Sequence, residues 1–340
     1  MQKNEQVDIL LVLRTPPPVG GGEIRAMHAK KYFSDKSGYL VFDYSLGASD
    51  KSSQGKATLA NIKRGIFWIY NTCKLIMKHR PKAIYFGLGQ DFGSFARNSV
   101  GALWAKLFGV RVLAELAGTS FLFLENKSSP LYHIGLLLLR QVDDMRLLSP
   151  RIRDMFLQYK LPKITVYANG VTLPQNIEVN PDVFKAEILP LLYIGTLEQS
   201  KGVLNLVEAL ALCIKAGLKV HLNLLGEWSN QEDKDTCNKC IKDNNLEEHL
   251  TFHGVQTGEK KWEIFKNCAL LVHPTFWDGV PLTILESMGI GLGVISTRVG
   301  GIPDTLIDGE GGYILEKSEP TAVVECIKKL VEDRGLLKKL

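Results

Sequence analysis

Long apolar segments are missing from this sequence of 340 residues. A membrane-spanning helix needs about 20 consecutive apolar residues, and the longest candidate, residues 134–139, is far shorter. The start of the chain also lacks the pattern of a secretory signal, because its apolar stretch at residues 7–13 is short and carries the charges of Asp8 and Arg14. We therefore expect a cytoplasmic protein.

Cysteine is scarce too, with six residues in the chain. So few cysteines in a chain of this length do not form a disulfide framework, and free thiols are typical of a reducing compartment. Cys237 and Cys240 form a single CxxC pair. A structural zinc site would need a second pair of ligands at a suitable spacing, and the sequence contains none, so we interpret the pair as incidental.

Acidic residues are few in the first half of the chain and basic residues are fewer in the second. Residues 1–170 contain 24 Lys and Arg but 12 Asp and Glu, whereas residues 171–340 contain 17 and 24, which together give the net charge of +5. The basic half predicts attraction to phosphates or anionic lipids, yet a merely solvated surface would have the same composition. Nothing beyond charge favours nucleic-acid binding.

What the sequence does contain is a repeated alternation of short apolar runs and longer amphipathic segments. The runs predict buried strands at residues 7–13, 38–44, 83–87 and 110–115, and again at 189–194, 220–225, 250–253, 270–273 and 293–296. The amphipathic segments predict helices at residues 58–78, 203–216, 231–244, 260–267 and 282–289. This alternation predicts an α/β protein with two parallel sheets, and a proline-punctuated boundary at residues 172–190.

The helix at residues 58–78 has two interpretations. Spacings of three and four residues predict a buried face of Leu59, Ile62, Ile66, Ile69, Cys73 and Ile76. Its basic residues Lys63, Arg64, Lys74 and Lys78 then form an exposed surface. Because Phe67, Trp68 and Tyr70 interleave with the lysines, the helix is a candidate for docking on an anionic membrane. A buried helix with a solvated edge is the alternative.

The first candidate loop, residues 16–23, follows the first predicted strand and contains Gly20, Gly21 and Gly22. Glycines allow a backbone to approach an anion closely, and the next helix would present free N–H groups. The spacing is not GxGxxG and no ribose-binding acid follows, which disfavours a dinucleotide-dependent oxidoreductase. A tight turn and a phosphate contact both remain compatible with this loop.

Two further loops lie at predicted strand-to-helix junctions in the second half. Residues 192–202 end in Lys201 and Gly202, where a cation beside free N–H groups would suit a diphosphate, although a single solvated lysine is also common. In residues 276–289, Asp278 precedes a helix whose first turn would contain Pro281, and Glu286 follows in the second turn. A carboxylate there could bind ribose hydroxyls, or the two acids could be a cap and a surface glutamate.

Together these segments resemble the retaining glycosyltransferases of family four, also called glycosyl transferases group 1, which have the GT-B fold. The resemblance is carried by Gly-Thr-Leu at residues 195–197 with Lys201, by residues 278–286, by residues 299–304 and by residues 308–313. It extends to residues 167–171 and to the glycine loop. It implies two Rossmann-like domains facing each other across a cleft, an acceptor-binding domain at residues 1–172 and a nucleotide-sugar donor-binding domain at 173–340.

The resemblance also implies roles for the matching residues. Lys201 would bind the donor diphosphate, Glu286 the ribose, and Asp278 would lie beside the donor sugar, so Lys201 and Asp278 would take part in catalysis. The implied donor-binding set is Gly21, Gly22, Gly195, Thr196, Lys201, Gly254, Val255, Asp278, Gly279, Val280, Pro281, Leu282 and Glu286. The family works without a metal or other cofactor, and the leaving phosphate is thought to help deprotonate the acceptor on the front face of the sugar.

The sequence departs from the family pattern in four places. Thr196 replaces an arginine, Asp278 is one methylene shorter than the usual glutamate, and Ala117 precedes Gly118 where a histidine is common. The chain also ends at Leu340, before a helix that usually crosses back to the first domain. Thr196 and Ala117 fit an alternative, a catalytically impaired accessory protein of a polysaccharide assembly complex, whereas retention of Lys201 and Glu286 argues for activity.

The favoured prediction is a retaining hexosyltransferase. It would move a sugar from a nucleotide-sugar donor, with UDP as the default base, to a saccharide or lipid-linked saccharide acceptor in polysaccharide or glycolipid biosynthesis. The basic first domain adds the expectation of a peripheral contact with the inner face of the cell membrane.

Overall fold

The computed structural model describes residues 6–17, 20–45 and 59–340. Two compact units divide the chain, Met1–Ala168 and Asn169–Leu340. The division falls after residue 168 rather than after residue 172, so that the Asn-Gly-Val segment at residues 169–171 belongs to the second unit.

The first unit contains a parallel sheet of six strands with the order β2-β1-β3-β4-β5-β6. The strands are β1 Ile9–Leu13, β2 Tyr39–Asp43, β3 Ala83–Gly87, β4 Arg111–Leu116, β5 Asp144–Leu147 and β6 Ile164–Val166. The described helices are α1 Gly21–Phe33, α2 Leu59–His79, α3 Phe92–Leu107, α4 Pro130–Leu139 and α5 Pro150–Phe156. The four predicted strands are confirmed to within two residues at each end, whereas β5 and β6 were not predicted.

Local sequence explains where several of these helices begin. Asp91 caps α3, since its carboxylate accepts a hydrogen bond from the Ser94 N–H at 2.8 Å. Ser129 and Ser149 cap α4 and α5 in the same way, each followed by a proline in the first turn. Proline is favourable there because its missing N–H would have no partner inside the helix.

Helix α2 has a different orientation from the predicted one. Leu59, Ile62 and Ile66, which the periodicity assigned to the buried face, are exposed. The buried side is formed by Trp68, Thr72 and Ile76, and among these three the prediction had included Ile76 alone. Trp68 contacts Phe86 of β3 edge to face at 5.8 Å. For Leu59, Ile62 and Ile66 the prediction was wrong because it left Trp68, the largest apolar side chain of the helix, on the outer surface.

The neighbouring helix makes room for that tryptophan. At Gly101 of α3, an added Cβ would lie 2.6 Å from the Trp68 ring, so only glycine allows this close approach. The guanidinium of Arg97, on the same helix, lies over the Trp68 ring at 5.3 Å. Side-chain volume at the contact with α3 therefore decides which face of α2 is buried.

The second unit contains another parallel sheet of six strands, with the order β12-β11-β10-β7-β8-β9. The strands are β7 Leu189–Ile194, β8 Val220–Leu225, β9 Leu250–Gly254, β10 Leu270–His273, β11 Gly293–Thr297 and β12 Gly312–Leu315. The helices are α6 Val203–Lys215, α7 Gln231–Asp243, α8 Gly258–Lys266, α9 Leu282–Gly289, α10 Pro320–Glu332 and α11 Arg334–Lys339. All predicted elements of this half are confirmed to within two residues at each end, and only β12, α10 and α11 were missed.

Alternate residues of β7 face two separate cores. Leu191 and Tyr193 belong to one buried cluster, which includes the inner faces of α6 and α10. Leu192 belongs to another, which includes Phe265 of α8 and Ile284 of α9. A strand buried on both faces reads as a continuous apolar run, which is why its position was predictable from the sequence.

Two smaller observations concern the expectations about membranes and cysteines. Within the part of the chain that the structure describes, no helix has the length and apolar character needed to span a bilayer. All six cysteines are free thiols. Cys237 is buried in α7, and burial raises the pKa of its thiol to about 12, so this residue of the CxxC pair packs in the core as a small apolar side chain.

Candidate functional site

The strand order of the second unit locates a candidate site. Strand β7 lies between β10 and β8, so the chain leaves its carboxyl end in one direction and the carboxyl end of β10 in the other. Ligands of such sheets bind beyond the carboxyl ends of the strands at this reversal. The two loops that follow β7 and β10 are residues 195–202 and 274–281, which overlap with the predicted segments 192–202 and 276–289.

Lys201 and Asp278, one from each loop, form an ion pair at this position. The Lys201 Nζ lies 2.8 Å from Asp278 Oδ2 and also donates a hydrogen bond to the Trp277 carbonyl at 2.7 Å. Both side chains are partly buried, with 23% and 21% of their surface exposed. The structure thus brings together the two residues for which catalysis was predicted.

His273, the last residue of β10, lies beneath the pair. Its Nε2 is 3.6 Å from Asp278 Oδ2, and its ring stacks on Tyr193 of β7 with centroids 5.8 Å apart. Burial alone would raise the pKa of Asp278, but the His273 ring and the Lys201 charge outweigh it and lower the pKa to about 2. Asp278 is therefore a carboxylate at neutral pH.

The Tyr193 hydroxyl fixes the loop above it. It donates a hydrogen bond to the Thr196 carbonyl at 2.9 Å, and the Lys201 carbonyl lies at 3.5 Å. The ring is fully buried, and burial raises the pKa of its hydroxyl well above the usual value. Tyr193 and His273 were not predicted as site residues, because a tyrosine and a histidine inside buried strands are indistinguishable in the sequence from ordinary core residues.

The two loops are also joined through their main chains. The Phe276 N–H donates to the Ser200 carbonyl at 3.0 Å, and the Thr275 hydroxyl lies 3.3 Å from the same oxygen. Gly202 has a φ of +74°, and an added Cβ there would overlap the Pro274 carbonyl. Lys201 is thereby held in place by backbone packing as well as by its own side chain.

Glu286 forms a second ion pair with Lys261 of α8. The Lys261 Nζ lies 2.7 Å from Glu286 Oε1 and over the Trp262 ring at 4.7 Å from its centroid. The exposed fractions of the two side chains are 13% and 11%, so this pair is more buried than the first. A lysine partner for the predicted ribose ligand was not anticipated, because it comes from a helix 25 residues earlier in the chain.

The predicted backbone donors, residues 279–282, connect the two pairs. The Gly279 N–H bonds to Asp278 Oδ1 at 2.9 Å, while the Gly279 and Val280 carbonyls accept hydrogen bonds from the Gly301 N–H and the Asn169 side chain, each at 2.7 Å. Pro281 lies just before α9 rather than in its first turn. The first N–H groups of α9, beginning at Leu282, have no partner within the helix, and no side chain among the described residues caps them.

The other predicted residues lie further along the sheet or in the first unit. Gly254 ends β9, where its carbonyl accepts a hydrogen bond from the Gly226 N–H at 2.9 Å, and Val255 follows with an exposed side chain. Gly21 and Gly22 form the first turn of α1, and both are exposed. Of the loop before them, Pro18 and Val19 lie outside the described residues.

Comparison with known families matches residues 183–340 to the model described as "Glycosyl transferases group 1". The matched residues begin before β7 and include both ion pairs. The second unit of this chain therefore resembles the glycosyl transferases group 1 over residues 183–340, just under half of the chain.

Curated relatives of the chain have related names. A capsular polysaccharide biosynthesis glycosyltransferase, CapM of Staphylococcus aureus, is 27% identical over 42% of this chain and 37% of its own length. An uncharacterized glycosyltransferase of Methanocaldococcus jannaschii is 26% identical over 82% of this chain and 74% of its own length. The chain thus spans about a third of the first relative and about three quarters of the second.

Solved structures resemble both units of this chain. The Anabaena protein HepE, in complex with UDP and glucose, has a TM-score of 0.76 at 18% identity, and the match covers 98% of this chain and 92% of that one. A sucrose-phosphate synthase from Thermosynechococcus elongatus has a TM-score of 0.74 at 15% identity, with 98% and 92% covered. At these identities the likeness shows the fold, which is the predicted GT-B fold with two Rossmann-like parallel-sheet domains.

Among the described residues, no three His, Cys, Asp or Glu side chains form a group that could hold a metal ion. The expectation that this protein works without a metal therefore still depends on the family resemblance alone.

Proposed function

We propose that this protein transfers a sugar from a nucleotide-sugar donor to a saccharide or lipid-linked saccharide acceptor, with retention of configuration. The observation that carries the proposal is the Lys201–Asp278 pair, which lies where the strand order of the second sheet reverses. A cation, an ionised carboxylate and uncapped helix N–H groups are together suited to a ligand that joins a diphosphate to a polyhydroxyl group.

Lys201 would bind the diphosphate and stabilise the charge that develops on it as the sugar departs. Its ammonium has three N–H donors, of which Asp278 and the Trp277 carbonyl account for two. The third is left for a phosphate oxygen of the donor. A donor that is already in place when charge develops contributes more to catalysis than one that must reorient.

Asp278 would accept hydrogen bonds from hydroxyl groups of the donor sugar. Its depressed pKa keeps the carboxylate ionised, which is the form that only accepts hydrogen bonds. Because its Oδ1 already binds the Gly279 N–H and its Oδ2 binds Lys201, its orientation is determined before the donor arrives. Such a carboxylate selects a ligand with hydroxyl groups at defined positions.

Glu286 would bind the ribose through its second oxygen. Oε1 is held by Lys261, and the described residues donate no hydrogen bond to Oε2. One carboxylate oxygen can accept hydrogen bonds from vicinal ribose hydroxyls, as the acidic residue of Rossmann-type sites does. UDP remains our choice of nucleotide, supported by its presence in the HepE structure.

A catalytically impaired accessory protein is the second candidate. Two observations favour it. Thr196 contributes its carbonyl to Tyr193 and lacks the charge of the family's arginine, and Ala117, directly after β4, lacks the imidazole of the family's histidine. Nucleotide binding without turnover would distinguish this candidate from the enzyme.

The test combines nucleotide binding with turnover. The protein is heated with UDP, GDP, ADP or dTDP, and release of nucleoside diphosphate from the corresponding sugars is followed in parallel. We expect one nucleotide to raise the melting temperature, a Glu286→Ala variant to lose that shift, and slow diphosphate release to accompany it.

The matched control is Glu263→Ala, on the exposed surface of α8, where the carboxylate is paired with Lys266. It should respond to the nucleotide like the parent protein. If no nucleotide stabilises the folded parent protein, the site assignment is wrong. If one nucleotide binds but no acceptor preparation supports release, the accessory function replaces the enzymatic one.

A further inference from the structure

We propose that the outer face of helix α2 in the first unit docks on an anionic lipid surface. This outer face consists of Leu59, Ile62, Lys63, Ile66, Phe67, Tyr70, Lys74, Met77 and Lys78. The proposal concerns a membrane contact rather than the donor site, so it holds or fails independently of glycosyl transfer.

The members of the outer face recur at intervals of three and four residues along α2, which places them on one side of the helix. Six of them are large apolar or aromatic side chains in contact with solvent. Their exposed fractions are 78% for Leu59, 63% for Ile66 and Tyr70, 51% for Ile62, 46% for Met77 and 36% for Phe67. A helix on the surface of a globular protein normally presents polar residues there, so this face is unusual.

The exposure is not the result of a loosely placed helix. The opposite side is formed by Trp68, Thr72 and Ile76, all of which are fully buried. Trp68 contacts both Phe86 and Tyr44 edge to face. Rotating α2 to bury its outer face would expose this tryptophan. The apolar residues therefore remain outside because the helix is firmly packed on its other side.

The charges on α2 indicate which partner suits this face. Lys63, Lys74 and Lys78 are exposed beside the apolar residues, and the helix contains no Asp or Glu. The Lys74 ammonium lies over the Tyr70 ring at 5.9 Å from its centroid. Apolar and aromatic side chains bordered by lysines are the pattern of helices that lie in the interface of an anionic bilayer.

A second copy of the chain is a poorer partner for the same face. A symmetric dimer would place this face against itself, which brings lysines together and offers no acid on α2 to pair with them. An anionic lipid surface supplies many negative charges and an apolar layer below them. The adjacent helix α3 also exposes Val100, Leu103 and Leu107, so lipid contact need not end at α2.

The experiment measures binding of the full chain to vesicles at low ionic strength. One set is made of phosphatidylcholine alone, and another contains phosphatidylglycerol at one third of the lipid. We expect the protein to co-sediment with the anionic vesicles and to be released as salt is raised, since added salt screens charges near a surface. Failure to bind the anionic vesicles, or equal binding to both sets, would overturn the proposal.

Two variants and a control locate the contact on the protein. Replacing Ile62, Ile66 and Tyr70 by serine should reduce binding about tenfold or more. Replacing Lys63, Lys74 and Lys78 by glutamine should reduce it about fivefold for each lysine removed. The control changes the same number of charges on α7 in the second unit, with Lys234, Lys239 and Lys242 replaced by glutamine.

The control should bind like the parent protein, and circular dichroism should show that all variants are folded. If the α2 variants bind as well as the control variant, the docking face is not on α2. Sedimentation velocity tests whether a second copy of the chain covers the outer face of α2. A parent protein that is dimeric, with a serine variant that becomes monomeric yet keeps its affinity for vesicles, would assign the face to a second copy instead.

Discussion

The two lysine–carboxylate pairs of the candidate site differ in what holds them. Their N–O distances are nearly equal, 2.8 Å for Lys201–Asp278 and 2.7 Å for Lys261–Glu286. The first joins two loops after neighbouring strands and includes the Trp277 carbonyl among its contacts. The second joins two helices, and its lysine packs on aromatic rings rather than on the main chain.

Two ion pairs of nearly equal length can therefore differ in what they do in the site. Around Lys201 the main chain is fixed by Gly202, by the Tyr193 hydroxyl and by the Phe276 N–H. The position of its charge is therefore determined before a ligand binds. Lys261 depends on its side chain alone, which makes it an adjustable neighbour of Glu286. Changes at the first pair should accordingly have larger effects than changes at the second.

Removing the Lys201 ammonium should have the largest effect. In the proposed reaction it stabilises charge on the departing diphosphate, and loss of one such donor typically lowers turnover by about 10²–10³-fold. We expect a Lys201→Ala variant to show that loss in diphosphate release. The control is Lys219→Ala, an exposed lysine paired with Glu187. Turnover in Lys201→Ala within about threefold of this control would contradict the assigned role.

A methyl group at Gly202 should disturb the first pair without touching the second. Gly202→Ala adds a Cβ that overlaps the Pro274 carbonyl at a φ of +74°, and we expect a loss of about 3 kcal/mol in the free energy of unfolding. Gly217→Ala is a matched control, because its φ is +75° but its Cβ would meet no atom within 4 Å. It should cost about 1 kcal/mol.

Urea unfolding of both variants measures the difference. Equal losses in the free energy of unfolding would mean that the overlap with Pro274 costs nothing beyond the strain of the positive φ. Backbone packing at Gly202 would then not hold Lys201 in place.

The second unit could be predicted almost completely from the sequence, and the reason is visible in its strands. Strands such as β7 and β10 are buried on both faces and appear as uninterrupted apolar runs. In the first unit, β5 carries Asp144 and Arg146 within four residues, and its short length conceals it. β12 was missed for a similar reason, since it begins with Gly312 and has four residues.

Only those features of the site that depend on residues close together in the sequence could be predicted. Lys201 and Asp278 were found because each follows a strand in a recognisable loop. Their contact with each other requires β7 and β10 to be neighbours, and the partnership of Lys261 with Glu286 requires α8 to pack beside α9. No local pattern contains these tertiary neighbours. The orientation of α2 was mispredicted because periodicity does not weigh a tryptophan against several aliphatic residues.

The charge of Asp278 can be tested through the pH dependence of stability. Because its pKa in the folded protein is about 2, below the ordinary 3.8, its ionised form stabilises the folded state above about pH 4. That contribution is lost as pH falls toward 2. We expect Asp278→Asn to be about 2 kcal/mol less stable at pH 6, and the difference from the parent protein to shrink to about half near pH 3. Urea unfolding at both values measures it.

A difference that stays constant between pH 6 and pH 3 would show that the carboxylate gains nothing from Lys201 and His273. The corresponding control is Asp182→Asn, whose side chain is exposed and paired with exposed Lys185. Its stability should match that of the parent protein at both pH values.

Replacing Lys261 should have the smallest effect. The result shows whether this lysine orients Glu286 for the ribose. If Lys261 orients Glu286 for the ribose, Lys261→Met should weaken nucleotide binding about fivefold, because one charged hydrogen bond of modest net strength is lost. Lys261→Arg should restore the binding. Calorimetric titration with the nucleotide that stabilises the parent protein measures the change. Tighter binding by Lys261→Met would mean that the lysine competes with the ribose for Glu286, and its role as a positioning residue would have to be abandoned.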